Sequence, residues 1–203
     1  MDKVQKINRD FYNKNADDWV VRKAYSFYSE KQFRKFVKYF KSGSLIVDIG
    51  CAAGRDIPLF LGIGRKLKYE GLDIWKIFIH MARARYPQLK FYISNILDRK
   101  TLPKTKYDGF WAAASMQHIP EKEWDSMLDN IQYVMKKEAI GYFTLPEDRP
   151  HKKDKIDLRH FTILNEKNLK AILESHGWKI ILKGFLPPTR RTTVWRWYIV
   201  RLP

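Results

Sequence analysis

The sequence predicts an α/β domain: a doubly wound, mostly parallel, seven-stranded sheet with helices on both faces and an antiparallel C-terminal hairpin. Three observations predict it. Helix-like and strand-like segments alternate along the chain, the order that right-handed βαβ units produce. The first clear strand, "LIVDI" (45–49), runs into a tight small-residue turn, as strands do where a sheet meets a ligand. The last two strands, "WKIILKG" (178–184) and "TVWRWYIVRL" (193–202), are close enough in sequence to pair antiparallel.

Each element has its own signal. Phe33, Phe36, Val37 and Phe40 recur at helical spacing with Arg34, Lys35 and Lys38 between them. After the first strand, "DIPLFLGIGRKL" (56–67) reads as helix and turn, with Pro58 near its start. "YEGLDI" (69–74) is the second strand, and the helix that follows is closed by Pro87. "KFYIS" (90–94) is the third strand, "LDRKTLPKTK" (97–106) a polar loop and "YDGFWAAASM" (107–116) the fourth strand. Trp124, Met127, Leu128, Ile131 and Met135 mark the next helix. Glu121 and Glu123 at its start and Lys136 and Lys137 at its end suit the helix dipole. "AIGYFTL" (139–145) is the fifth strand, and "PEDRPHKKDK" (146–155) a polar loop. The last helix has Asn165 as N-cap and Gly177 as its stop.

With 203 residues and 45% hydrophobic content, the chain reads as a single domain, 1–203, with a sizeable core. It divides into an N-terminal helical cover (1–41), a ligand-binding core (42–148) and a C-terminal helix with strands (149–203). No apolar run is long enough to span a bilayer, so no membrane partner is expected. The lone Cys51 cannot form an internal disulfide, which fits a cytoplasmic setting. No Cys/His cluster has metal spacing, so no metal is expected. The net charge of +17 is uneven. Residues 1–41 hold 11 Lys/Arg against 5 Asp/Glu, and residues 149–203 hold 13 against 4. The centre is nearly balanced, so an anionic partner would be met by the flanks.

The turn "GCAAGRD" (50–56) limits the ligand. A dinucleotide fingerprint needs glycine at the second and third positions, where this chain has Ala52 and Arg55. No Gly-Lys-Ser/Thr follows, which excludes a P-loop. Asp73 ends the second strand, where a carboxylate accepts hydrogen bonds from ribose hydroxyls. The site therefore suits a nucleoside without a pyrophosphate. S-adenosyl-L-methionine is such a molecule, and Asp48 and Asp56 suit its amino group and sulfonium.

At this point the chain resembles the class I S-adenosylmethionine-dependent methyltransferases, in their compact bacterial-type subgroup, over almost its whole length. "VDIGCAAGRD" resembles the family's glycine motif and "GLDI" its ribose-binding motif. "YDGFWAAASMQHIP" resembles the fourth-strand motif, "RDFYNKNADDW" the start of the chain and "LRHFTILNEKNLKAILESHGW" the C-terminal segment. The resemblance implies a Rossmann-like fold and S-adenosyl-L-methionine as cofactor. It implies cofactor contacts at Tyr12, Asp48, Gly50, Cys51, Ala52, Gly54, Asp73, Ile74, Asn95, Ile96 and Ala113. Two positions depart from the pattern: Ala52 replaces the middle glycine, and Asn95 replaces the acid that receives the adenine amino group.

His118, at the carboxyl edge of the fourth strand, and His160 in "LRHFT" are the candidate catalytic residues. Tyr25, Phe27 and Tyr28 are candidates for the acceptor pocket. Methyl transfer to a small-molecule acceptor, anionic if the basic flanks meet it, is the leading expectation. Arg22, Lys23, Arg159, Arg190 and Arg191 are the candidates for meeting that charge. RNA as acceptor is the runner-up, raised by the flanks and by Trp195, Arg196 and Trp197. A catalytically silent S-adenosylmethionine-binding protein is the third reading.

Overall fold

A computed structural model describes residues 4, 6–8, 10–12, 14–15, 30–63, 66–147, 151–152, 155–156, 159–186 and 194–203. The elements in chain order are α1 (Glu30–Phe36), β1 (Leu45–Ile49), α2 (Ile57–Gly62), β2 (Lys68–Asp73), α3 (Lys76–Arg85) and β3 (Lys90–Ile93). They continue with β4 (Tyr107–Ala112), α4 (Trp124–Val134), β5 (Met135–Pro146), β6 (His151–Lys152), β7 (Lys155–Ile156), α5 (Glu166–Ser175), β8 (Lys179–Phe185) and β9 (Trp195–Arg201). The described residues between 4 and 15 are also helical.

The seven-stranded sheet has the order β3-β2-β1-β4-β5-β9-β8. Its first five strands run parallel, and β9 pairs antiparallel with both β5 and β8. This is the doubly wound sheet with a C-terminal hairpin that the alternation of elements predicts. The strand order reverses between β1 and β4, so the switch point lies at their carboxyl ends, where such folds bind ligands.

Alternate residues of the strands feed two cores. Val47, Ile49 and Phe110 face α4 and α5, joining Trp124, Met127, Leu169 and Leu173. Ile46, Trp111 and Tyr142 face the other way, joining Phe33 and Phe36 of α1 with Ile57 and Phe60. The helix ends follow the expected chemistry: the Asn165 side chain accepts the Asn168 N–H at 2.8 Å, and Gly177 stops α5 at φ +74°.

The structure corrects two local readings. Met135, Lys136 and Lys137 belong to β5, and α4 ends at Val134. The reason is a bulge: Tyr107 pairs with Met135, yet Gly109 pairs with Ile140, so the strand absorbs the intervening residues, with Glu138 at φ +60°. Lys136 therefore meets Asp108 at 2.8 Å and does not complement a helix end. The polar segment 146–155 carries strand pairing, His151 with Ile156 and Lys152 with Lys155.

No helix among the described residues is long and apolar enough to cross a membrane. Arg196 and Trp197 are buried; Arg196 pairs with Glu147 and donates to the Leu164 carbonyl.

Candidate active site

The turn after β1 is built from backbone constraints. Gly50 (φ +77°) donates its N–H to the Leu72 carbonyl at 2.8 Å, and Cys51 donates to the same oxygen at 3.1 Å. A Cβ on Gly50 would lie 2.4 Å from Ser115 Cβ, and Ser115 Oγ donates to the Ile49 carbonyl at 2.7 Å. The glycine is thus demanded by the loop after β4 as well as by its own backbone. Ala52 holds φ +48° without being glycine, a conformation that costs an L-residue about 1–2 kcal/mol. A Cβ on Gly54 (φ +82°) would lie 2.6 Å from Ile57 Cδ1 and 3.0 Å from Tyr86 Cε2.

The Ala52 N–H donates to Asp73 Oδ2 at 2.9 Å, and the Trp75 N–H to Asp73 Oδ1 at 2.8 Å. Burial pushes the Asp73 carboxyl up to about 6, against the pull of these main-chain donors. The Ile74 N–H acts on the same carboxylate, and three main-chain donors on its four lone-pair sites leave room for a further one. A buried carboxylate occupying the turn's own amide is hostile to a phosphate and suited to a hydroxyl pair. Such an acceptor fits the ribose hydroxyls of S-adenosylmethionine.

The loop after β3 lies beside this carboxylate in the sheet order. Asn95 Oδ1 accepts the Leu97 N–H at 3.0 Å, so its orientation is set by its own loop. Ile96 is buried, and its carbonyl accepts Asn130 Nδ2 at 2.9 Å. Asn130 Oδ1 in turn accepts Arg99 Nε at 2.9 Å, tying α4 to this loop. Ile74 is half-buried between Asp73 and Trp75.

Asp48 points into the helix-covered face below the turn. Tyr69 Oη donates to its Oδ2 at 3.0 Å, and burial together with nearby Asp56 pushes its carboxyl well above the usual range. Asp56 behaves oppositely. Burial alone would raise its carboxyl, but Arg55, at 2.7 and 2.6 Å to its two oxygens, outweighs burial and holds it low. Trp111 Nε1 adds a third bond to Asp56 at 2.9 Å, and Arg55 also donates to the Ala113 carbonyl at 3.2 Å. Trp111 stacks on Tyr142 with ring centroids 3.8 Å apart. Cys51 is buried against Gly71, and burial pushes its thiol up, which suits packing and not nucleophilic attack.

A second cluster closes the other side. Tyr12 Oη lies 2.9 Å from His118 Nε2, and the Tyr12 ring packs edge-on to Phe78 at 5.7 Å. His118 Nδ1 lies 2.7 Å from the His160 carbonyl. Because a carbonyl only accepts, Nδ1 carries a proton, and in the neutral ring Nε2 is then the acceptor. The His160 side chain turns to Thr162 Oγ1 at 2.9 Å, and its N–H donates to Asn8 Oδ1 at 3.0 Å. Arg159 Nη1 donates to Tyr12 Oη at 2.9 Å.

The expected site residues thus fall into several places: Gly50, Cys51, Ala52, Gly54, Asp73 and Ile74 around the turn, Asp48 beneath it on Tyr69, Asn95 and Ile96 in the loop after β3, Ala113 after β4 on Arg55, and Tyr12, His118 and His160 in the second cluster. Arg22, Lys23, Tyr25, Phe27, Tyr28, Arg190 and Arg191 lie outside the described residues. Sequence reasoning missed Asn130 as the anchor of the Ile96 loop and Arg159 as the partner of Tyr12. No local pattern signals either pairing, because 34 and 147 positions separate the partners. Among the described residues no group of acidic, His or Cys side chains could hold a metal ion.

Residues 46–138 match the family model of a methyltransferase domain. No curated protein matches the chain. Several solved structures share its fold. The magnesium protoporphyrin IX methyltransferase of Synechocystis PCC 6803, solved with bound S-adenosylmethionine, superposes with a TM-score of 0.75 at 17% identity, covering 100% of this chain and 99% of that one. A TehB-like S-adenosylmethionine-dependent methyltransferase from Corynebacterium glutamicum superposes with a TM-score of 0.69 at 16% identity, covering 97% and 98%. The N-methyltransferase NodS of Bradyrhizobium japonicum, solved with S-adenosylhomocysteine, gives 0.65 at 14% identity, covering 86% and 85%.

Proposed function

We propose that this chain, a class I S-adenosylmethionine-dependent methyltransferase by its central domain and its sheet, methylates a small-molecule acceptor and holds the cofactor's ribose on Asp73. The supporting observation is the buried Asp73 carboxylate, bonded to the turn's own Ala52 N–H with acceptor capacity left over. Bound S-adenosylmethionine supplies a methyl group on a sulfonium, an electrophile that needs no further activation. The chain's own residues position, exclude water and manage a proton.

In this reading Asp73 accepts the ribose hydroxyls, while Asn95 and Ile96 flank the adenine. Gly50, Cys51, Ala52, Gly54 and Ala113 keep the turn small enough for close approach. Asp48 and Asp56 lie beneath the turn and set its charge with Arg55. Tyr12 closes over the methionine side. For an acceptor that gives up a proton, His118 Nε2 receives it while Nδ1–H stays on the His160 carbonyl. The His160 ring, held by Thr162, borders the same space.

The small-molecule reading draws on two points. The magnesium protoporphyrin IX methyltransferase, which covers this chain from end to end, acts on a small molecule. Arg196 and Trp197, two of the residues that with Trp195 and the basic flanks raised RNA as acceptor, are buried in the core. The basic flanks favour an anionic acceptor, because a positive rim raises the local concentration of anions. Arg159 is not part of such a rim, since it is buried on Tyr12.

The test is methyl-labelled S-adenosylmethionine incubated with the protein and, separately, with a metabolite extract and with total RNA. Label entering the small-molecule fraction is expected, and label confined to RNA would overturn the reading. For the acceptor so found, kcat/KM should fall as ionic strength rises and the Debye length shrinks to about 8 Å at 0.15 M. A neutral best acceptor would remove the anionic part.

A further inference from the structure

The end of β2 and the loop after β3 stand side by side. Asp73 pairs with Ile93, and the Ser94 N–H donates to the Asp73 carbonyl at 2.9 Å. Asn95 follows at once, half-buried, at the carboxyl end of the sheet. In the strand order β2 has β1 on one side and β3 on the other. With the ribose on Asp73 and the methionine part toward the turn after β1, the base falls to the β3 side, beside Asn95 and the buried Ile96.

Asn95 is held by its own loop. Its N–H donates to Thr101 Oγ1 at 2.9 Å, its carbonyl accepts the Asp98 N–H at 2.8 Å, and its side-chain Oδ1 accepts the Leu97 N–H at 3.0 Å. The last of these bonds decides which way the amide faces. Turning the amide over would set Nδ2 against the Leu97 N–H, two donors with no acceptor between them. The loop therefore keeps the oxygen, and Nδ2 is the end left for a ligand. Among the described residues nothing accepts from Nδ2. An aspartate in the same place would give Leu97 the same bond and offer a ligand an acceptor instead.

We propose that Asn95 is a specificity-determining residue that offers the cofactor's base a hydrogen-bond donor, so that this side chain meets the purine at a ring nitrogen and gives the 6-amino group no partner. The proposal rests on the reading that Asp73 holds the ribose of S-adenosylmethionine. The chemistry of the base carries the rest. Ring nitrogens of adenine accept, whereas its 6-amino group donates. A donor cannot receive a donor, so Nδ2 pairs with the ring. A site discriminates strongly where it holds a polar group that one ligand satisfies and another leaves unpaired. Nδ2 is satisfied equally by a purine with or without its 6-amino group, so Asn95 selects for the ring and not for the amine.

The experiment is calorimetry of the full chain with two ligands, S-adenosylhomocysteine and its analogue carrying hydrogen in place of the 6-amino group. The wild type should bind the two within about threefold of each other, the low end for a neutral hydrogen bond. Asn95→Asp keeps an oxygen on the Leu97 N–H and turns an acceptor toward the base. It should favour S-adenosylhomocysteine by about tenfold or more, the scale of a bond to a charged group. Asn95→Ala loses the donor and should weaken both ligands alike, by about two- to tenfold. This variant carries the test should Asn95→Asp fail to fold. A wild-type preference above about threefold, an unchanged ratio in Asn95→Asp, or unchanged affinities in Asn95→Ala would overturn the proposal. Any of these results with both ligands bound by the wild type removes this inference alone. A wild-type chain that binds neither ligand would overturn the proposed function and this inference with it.

Discussion

Asp73 and Ala52 are joined carboxylate to main-chain N–H at 2.9 Å, across the mouth of the turn after β1. One bond thus ties the end of β2 to the residue that replaces the usual middle glycine. Together with the Trp75 N–H it fixes the direction in which a desolvated carboxylate faces.

That carboxylate predicts a pH dependence. Ribose hydroxyls donate more strongly to ionised than to neutral Asp73, so binding selects the ionised form and lowers its pKa from about 6. S-adenosylhomocysteine affinity should then be full above pH 6 and fall as the pH drops below it, by up to about tenfold per pH unit. Asp73→Asn should flatten the profile and weaken binding at neutral pH by about 1–3 kcal/mol. Calorimetry from acid to neutral pH checks both, and a flat wild-type profile would remove Asp73 from the site.

The left-handed alanine predicts a stabilising substitution. Ala52→Gly relieves the φ +48° strain of about 1–2 kcal/mol and gives back about 0.4–1 kcal/mol through a looser unfolded chain. The expected net gain is about 0.5–1 kcal/mol, a rise of about 1–4 °C in Tm. Gly50→Ala should do the reverse, because its Cβ would lie 2.4 Å from Ser115 Cβ. Thermal unfolding of the two variants side by side settles the sign, and a destabilised Ala52→Gly would contradict the strain.

Arg55 carries a larger stake. It neutralises Asp56 at 2.6 Å in a site where Asp48 also lies buried. Arg55→Met should cost about 3–5 kcal/mol, the scale for breaking one side of a buried pair. Chemical denaturation measures it, and a loss under about 1 kcal/mol would mean that solvent reaches the pair.

His118→Ala should separate chemistry from binding. If the acceptor must lose a proton, turnover should fall by about 10²–10⁴-fold while S-adenosylhomocysteine affinity stays near wild type. Wild-type turnover would return His118 to a purely structural role.

The sheet was legible because its signals are local. The apolar run Leu45–Ile49, the Asn165 cap and the Gly177 stop each act within a few residues. The place of Asp73 at the end of β2 was legible for the same reason, being set by its distance along the chain from the turn. The extent of α4 was not, since Met135 continues its apolar period and only the pairing of Tyr107 pulls it into β5. The Arg159–Tyr12 and Asn130–Ile96 bonds were not legible either. Both depend on which elements the finished sheet brings together, and a buried arginine looks in sequence like any other surface charge.

The partners that complete the site stand at opposite ends of the chain: Arg159 and Tyr12 are 147 positions apart, His160 and Asn8 are 152 apart. Closing loops of that size costs entropy that neighbouring contacts do not repay, so these bonds form after the parallel strands have paired. They are also expected to break first. The Tyr12 helix can detach in a partial opening at a free energy below that of global unfolding, with hydrogen exchange at His160 faster than in β1 or β4. If Tyr12 meets the cofactor, as proposed above, added S-adenosylhomocysteine should slow that exchange.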